Sequence, residues 1–321
     1  MSKMSFVQAC NAGLRQELER DSNVFLMGED IAHYGGMFRV TEGLLETFGE
    51  SRVIDTPISE SGFMGMALGA ALAGKRPVAE LMFIDFGLVA MDQILNNIAK
   101  THYMSGGRCP VPMTIITQGG GYRGAAAQHS QMLEALFLHL PGIKVVLPSN
   151  PADAKGLMAA AVRDDNPVVF IGHKQLFGKQ GEVPDGEHFI PLGTSSVVQQ
   201  GSDVTILTYS FTVDLAMKAA EAFPGKVEIV DLRTLNPLDW TTIEASVRKT
   251  HRVIVAHEAH GRCSVASDLG FQVQQRLFDE LDAPVEIVAA LDAPIPFAVE
   301  LENEVLPTAS RIEAKIREIL A

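Results

Sequence analysis

Short runs rich in Val, Ile and Leu alternate with longer helical patterns along the whole chain. That alternation restricts the fold to parallel sheets with helices on both faces. In the first half the strand candidates are "NVFLMG", "RVIDT", "PVAEL", "VPMTIIT", "IKVVLP" and "PVVFIG". Residues 88 to 98 carry Leu88, Met91, Leu95 and Ile98 at three-four spacing, which predicts the buried stripe of an amphipathic helix. From Lys174 the text changes: "KQLFGKQGEVPDGEHFIPL" is rich in Gly, Pro and charge and has no period, as expected of a linker. A second alternation follows, with "DVTILTYS", "KVEIVDL", "HRVIVAHE" and "APVEIVAAL". It closes on a helix carrying Ile312, Ile316 and Ile319. The expected architecture is therefore α/β, with two doubly wound domains at 1–174 and 193–321 joined by a linker at 175–192.

Charge narrows the function classes. A formal net charge of −13 argues against nucleic acid or an anionic membrane surface as partner, because both require clustered Lys and Arg. An acidic surface suits a basic protein partner instead. The greasiest run, residues 62 to 74, is well short of the roughly 20 residues that span a bilayer. The N-terminal text lacks the apolar core of a secretion signal. Cys10, Cys109 and Cys263 lie far apart without a C-x-x-C spacing, so reduced thiols and a cytoplasmic setting are expected.

Three stretches can carry chemistry. "DTPISESGF" leaves a strand, passes Pro57 and places Glu60 in the first turn of a helix that Ser59 or a neighbour caps. A carboxylate there is stabilised by the helix dipole by about 0.3–1 kcal/mol, which explains it without any further duty. The same position lies outside the carboxyl end of a strand, where open α/β sheets bind ligands. Both readings stand on position alone. The following helix holds Gly62, Gly65, Gly69 and Gly74 among alanines. Each internal glycine costs roughly 0.5–1 kcal/mol against Ala, so a close backbone approach is expected, plausibly from another subunit.

"GGGYRGAAAQHSQ" follows a strand, leaves room for a bulky ligand and presents His129. A lone loop histidine is commonly structural, so its role is open on this ground. The glycine pattern matches neither G-x-G-x-x-G after a first strand nor G-x-x-x-x-G-K-[ST]. "HEAH" at 257 to 260 is one residue short of H-E-x-x-H and ends a strand, so a metal reading is rejected.

With "DTPISESGF", "AAAQHSQ", "PGIKVVLPSNPADAKGL" and "RDDNPVVF" in one chain, the sequence resembles a known family. It looks like the β subunit of the thiamine-diphosphate-dependent dehydrogenase component of 2-oxo acid dehydrogenase complexes. Members include the pyruvate, acetoin and branched-chain enzymes. The resemblance covers nearly the whole chain, through the late "LDAPIPFAVELE". It implies a transketolase-type pyrimidine-binding domain followed by a transketolase C-terminal-type domain. Glu60 then bonds the ring nitrogen of the cofactor's aminopyrimidine, Phe86 stacks on that ring, and Ile58 is a further cofactor contact. Phe86 in place of Tyr favours a pyruvate or acetoin type over branched-chain substrates. His129 matches the histidine that assists acyl transfer to lipoamide. Met113, Ala161, Asp164 and Asn166 match a structural potassium site of some relatives.

The chain lacks the G-D-G motif that holds the cofactor's magnesium. The resemblance therefore implies that an α subunit holds the magnesium and diphosphate in an α2β2 assembly. It also implies that the C-terminal domain docks the lipoyl acyltransferase component. A single-chain thiamine enzyme is disfavoured by the missing magnesium motif. A non-catalytic scaffold is disfavoured by the joint presence of Glu60, Phe86 and His129.

Overall fold

Every apolar run read above as a strand is one in the computed structural model, which describes residues 1–321. The chain divides into two units, residues 1–119 with 136–192, and residues 120–135 with 193–321.

The first unit is built on β1 (Val24–Gly28), β2 (Val53–Asp55), β3 (Arg76–Leu81), β4 (Thr114–Gly119), β5 (Lys144–Val146) and β6 (Val168–His173). They lie in the order β5-β6-β4-β3-β1-β2, with every neighbouring pair parallel. Helices cover parallel sheets on both sides, so their strands read as continuous apolar runs; β6 is buried along its whole length. Three helices matter here: α1 (Phe6–Arg20), α2 (Glu60–Leu72) and α3 (Pro151–Arg163). A capping box of Ser5 and Gln8 starts α1. Between α1 and α3, the fully buried Glu17 pairs with Arg163 at 2.8 Å. Burial alone would raise the proton affinity of Glu17. Bonds from Arg163, Gln16 and Arg20 outweigh it and hold the carboxyl below its usual range.

Two expectations change in this unit. The aperiodic stretch at 175–192 contains a strand, Gln180–Val183, that pairs antiparallel with Ser2–Ser5. Lys155 Nζ donates to the carbonyls of Pro184 and Gly186, so the stretch packs onto the first unit. Its single partner strand needs no two-sided apolar pattern, which hid it. The run 88–98 is not a regular helix: a 3₁₀ turn covers Ile84–Leu88 and a π-helix covers Gln93–Ile98. The wider turn moves the buried face to Ala90, Ile94 and Ile98, leaving Leu88 52% exposed.

The second unit is built on β7 (Ser196–Gln199), β8 (Val204–Thr208), β9 (Val227–Asp231), β10 (Val253–His260) and β11 (Glu286–Ala290). Their order is β11-β10-β8-β9-β7. The first three pairings are parallel, whereas β7 runs antiparallel to β9 at the edge, contrary to the expectation of parallel strands alone. Helices α4 (Thr212–Ala220), α5 (Trp240–Thr250), α6 (Val265–Leu277) and α7 (Ala309–Ile319) complete it. Ile312, Ile316 and Ile319 of α7 pack on Ile206, Ile229 and Ile254 as their spacing predicts. Cys10 is buried, Cys109 and Cys263 are exposed, and all three are free thiols. No helix is long and apolar enough to cross a membrane.

Candidate active site

The strand order of the first unit reverses between β1 and β3: the chain leaves β1 towards β2 on one side and leaves β3 towards β4 on the other. The crevice above such a reversal, at the carboxyl ends of the strands, is where doubly wound sheets take ligands. Glu29 directly follows β1, Glu60 opens the helix after β2, and Phe86 lies in the turn after β3. The fold therefore brings the connections bearing Glu60 and Phe86 to one edge of one sheet.

Glu60 is only 8% exposed, and Glu29 only 7%. Burial raises the Glu29 carboxyl above its ordinary range, the negative charge of Glu60 raises it further, and a bond from the Ser59 amide partly offsets both. The Glu29 carboxyl therefore keeps its proton more readily than a free carboxyl does. Asp55, between them in sequence, is engaged elsewhere and accepts from the Ala32 amide at 2.7 Å. Ser59 occupies the N-cap position of α2, but its side chain makes no capping bond. The start of α2 is fixed instead by Ser61, whose hydroxyl donates to the Val89 carbonyl at 2.7 Å. That bond joins the Glu60 helix to the segment just after Phe86.

Phe86 is half-buried, with its ring edge-to-face on Phe83 at 5.6 Å, and Phe83 meets Phe38 in the same way at 5.5 Å. The aromatic row packs the Phe86 turn against the rest of the first unit. Ile58, on the loop before α2, is 84% exposed. Along α2 the inner face is Phe63, Met64, Ala67, Leu68 and Ala71, whereas Gly62, Met66, Gly69 and Ala73 lie on the outer face. A Cβ at Gly69 would meet nothing within 4 Å, so no close approach within this chain explains that glycine.

Sequence reading missed Glu29 and Glu80. Glu80 lies inside β3, paired in register with Gly28, and burial pushes its carboxyl up to about 8. One of its oxygens has no hydrogen-bond partner. A lone acidic residue inside the apolar text "RPVAELMF" was the available signal.

His129 is half-buried and belongs to segment 120–135 of the second unit, whereas Glu60, Ile58 and Phe86 belong to the first. A Cβ at Gly121 would sit 2.5 Å from Leu306 Cδ1, so any larger residue here would have to push that side chain aside. In "HEAH", His257 Nδ1 meets the Tyr209 hydroxyl and His260 Nδ1 meets the Leu291 carbonyl.

The four residues matched to a potassium site gather near the C-terminus of α3. Asp164 is its C-cap, Asn166 donates to the Asp164 carboxylate, and the Met113 carbonyl accepts from Val168. Oxygens at a helix C-terminus suit a cation. Arg76 already donates there to the Val162 and Asp164 carbonyls, and Lys144 pairs with the Asp164 carboxylate.

Comparison with known proteins places this geometry in a class. Residues 2–180 match the transketolase pyrimidine-binding domain and residues 193–312 the transketolase C-terminal domain. The acetoin:2,6-dichlorophenolindophenol oxidoreductase subunit beta of Cupriavidus necator is 46% identical, over 99% of this chain and 98% of its own. The pyruvate dehydrogenase E1 component subunit beta of Rickettsia felis is 45% identical over 97% of both chains. Among solved structures, a split-gene transketolase described as an inactive β4 tetramer superposes with a TM-score of 0.80. It is 23% identical and covers 99% of this chain and 98% of its own, a likeness of fold. The chain belongs to the family of pyruvate and acetoin dehydrogenase β subunits, built from the two transketolase domain types.

Proposed function

We propose that this chain is the β subunit of a thiamine-diphosphate-dependent 2-oxo acid dehydrogenase that passes its acyl product to lipoamide. Pyruvate is the favoured substrate, and acetoin, cleaved to the same acyl group, is the alternative. The observation that carries the reading is Glu60: a buried carboxylate at the switch point of the sheet, electrostatically coupled to Glu29.

Thiamine diphosphate, when bound, supplies the carbon nucleophile and electron sink that 2-oxo acid decarboxylation needs. The residues present fit its pyrimidine half. Glu60 presents its carboxylate to the ring nitrogen, where a proton can be shared, and beside it burial and then the charge of Glu60 hold the Glu29 carboxyl above its ordinary range. Phe86 offers a ring face braced by Phe83, and Ile58 an exposed apolar side chain. His129, on its glycine-flanked loop, is the proton donor for the acyl acceptor.

The diphosphate half is not provided for. Without a G-D-G motif the chain depends on an α subunit for magnesium, in an α2β2 assembly. The exposed glycine face of α2, with Met66, Leu72, Leu88 and Val89 exposed beside it, supports a subunit contact there. The second unit is the docking place for the lipoyl acyltransferase component, and the enzyme works in the cytoplasm. A potassium ion near Asp164 would share its carbonyl oxygens with Arg76.

The substrate is tested on the chain paired with its α subunit, by comparing carbon dioxide release from pyruvate with acetaldehyde release from acetoin. A kcat/KM for pyruvate higher on the order of tenfold is expected. The reverse ratio assigns the enzyme to acetoin.

A further inference from the structure

The segment that carries His129 is fastened to the second unit by buried polar groups at both ends. On the near side, Glu258 accepts from the Gly121 amide at 2.6 Å and Glu302 from the Gly124 amide at 2.9 Å. Tyr122 donates its hydroxyl to the Pro307 carbonyl at 2.7 Å. On the far side, five residues after His129, the Tyr209 hydroxyl donates to Glu134 Oε1 at 2.6 Å and lies 3.0 Å from His257 Nδ1. The side chains of Glu134 and His257 are fully buried, and Tyr209 is 2% exposed.

The proton arrangement along the far side follows from chemistry. Burial, and then the charges of Glu134 and Glu258, hold the Tyr209 phenol protonated far above the ordinary tyrosine range. A phenol has one proton, and here it goes to the carboxylate. The contact with His257 is therefore a donation from Nδ1–H to the phenol oxygen. His257 Nε2 and Glu134 Oε2 are buried without hydrogen-bond partners. Apolar side chains would fill this space without those losses, so the network needs a reason beyond packing.

We infer that His257, Tyr209 and Glu134 form a positioning relay that fixes the far end of the His129 segment for acyl transfer to the lipoyl group. This rests on the role given to His129 above. In that step the acyl carbon bonds one lipoyl sulfur and the S–S bond takes up the electron pair left by decarboxylation. The second sulfur departs as a thiol with a proton from His129, and the acyl group would be freed as its hydroxyl loses a proton and its bond to the cofactor breaks, the electron pair returning to the cofactor. The relay touches neither substrate nor cofactor. It acts by holding the imidazole donor, and displacing such a group by about 1 Å costs on the order of a hundredfold.

The test uses the chain assembled with its α subunit, supplied with pyruvate and assayed with two acceptors. One is free lipoamide; the other is 2,6-dichlorophenolindophenol, which takes electrons without forming a thioester. Tyr209→Phe is expected to lower the lipoamide rate on the order of tenfold or more while leaving the dye rate within about twofold. His257→Leu, which removes the donor and leaves the phenol, should do the same, and it serves if Tyr209→Phe does not assemble. His257→Gln, whose amide can still donate to the phenol oxygen, should restore the lipoamide rate. His129→Ala, measured alongside, separates the two levels of the argument. If His129→Ala loses only the lipoamide rate while Tyr209→Phe and His257→Leu lower both rates in parallel or neither, the relay is overturned. If His129→Ala lowers both rates equally, the role of His129 fails and the inference fails with it.

Discussion

Glu60→Gln in the assembled enzyme is expected to lose turnover by a factor on the order of 10²–10⁴ while the native mass of the assembly stays unchanged. Glutamine fills the same volume at this position, which is 8% exposed, and α2 keeps its inner face of Phe63, Met64 and Ala67. What it lacks is a carboxylate on which a proton can be shared. The loss therefore belongs to the chemical step and not to folding. Steady-state turnover with pyruvate, together with a native mass measurement, checks both halves. A Glu60→Gln enzyme retaining most of its turnover would remove the proton-sharing role from the account.

The second large effect concerns stability. Burial pushes the Glu80 carboxyl from its ordinary 4.5 up to about 8. Below pH 4.5 the group is protonated whether the chain is folded or unfolded, and it contributes no pH dependence. Between 4.5 and about 8 the unfolded chain gives up the proton while the folded chain keeps it, so stability falls as pH rises. The slope approaches about 1.4 kcal/mol per pH unit and accumulates to a few kcal/mol before levelling off above the folded pKa. Glu80→Gln keeps the shape and removes the ionisation. Its advantage over the natural chain in urea unfolding should be small near pH 4.5, grow through neutrality and level off above pH 8. A constant difference across that range would show that Glu80 ionises in the folded chain as it does in water.

Much of this arrangement was legible because it is local. The central strands of the first unit, such as Thr114–Gly119 and Val168–His173, are buried along their whole length and announce themselves as apolar runs. Glu60 could be placed at a helix start outside the carboxyl end of a strand, but position alone left the helix dipole as a sufficient reason for it. The resemblance of four motifs then attached roles to Glu60, Phe86 and His129. What stayed hidden depends on partners distant in sequence. Glu29 and Glu60 look unrelated until β1 and β2 lie side by side. β7 is a half-buried edge strand with one partner, and its text "SVVQ" has too little pattern to stand out. The strand at Gln180–Val183 was read as linker because its pairing with Ser2–Ser5 spans most of the first unit's sequence. His257 was weighed only as a metal ligand. Its bond to Tyr209 joins the second unit's β10 to the residue just after β8, and no spacing rule records that contact.

The central claim is that this chain supplies half of a divided thiamine site and is silent without the other half. The most direct test is thiamine diphosphate binding by titration calorimetry with magnesium present, together with pyruvate turnover. Both are measured on the chain alone and after adding its α subunit in equal amount. Neither tight binding nor turnover is expected of the chain alone, and both are expected once the α subunit is added. Turnover by the chain alone, or an α-paired assembly that binds no thiamine diphosphate, would contradict that claim.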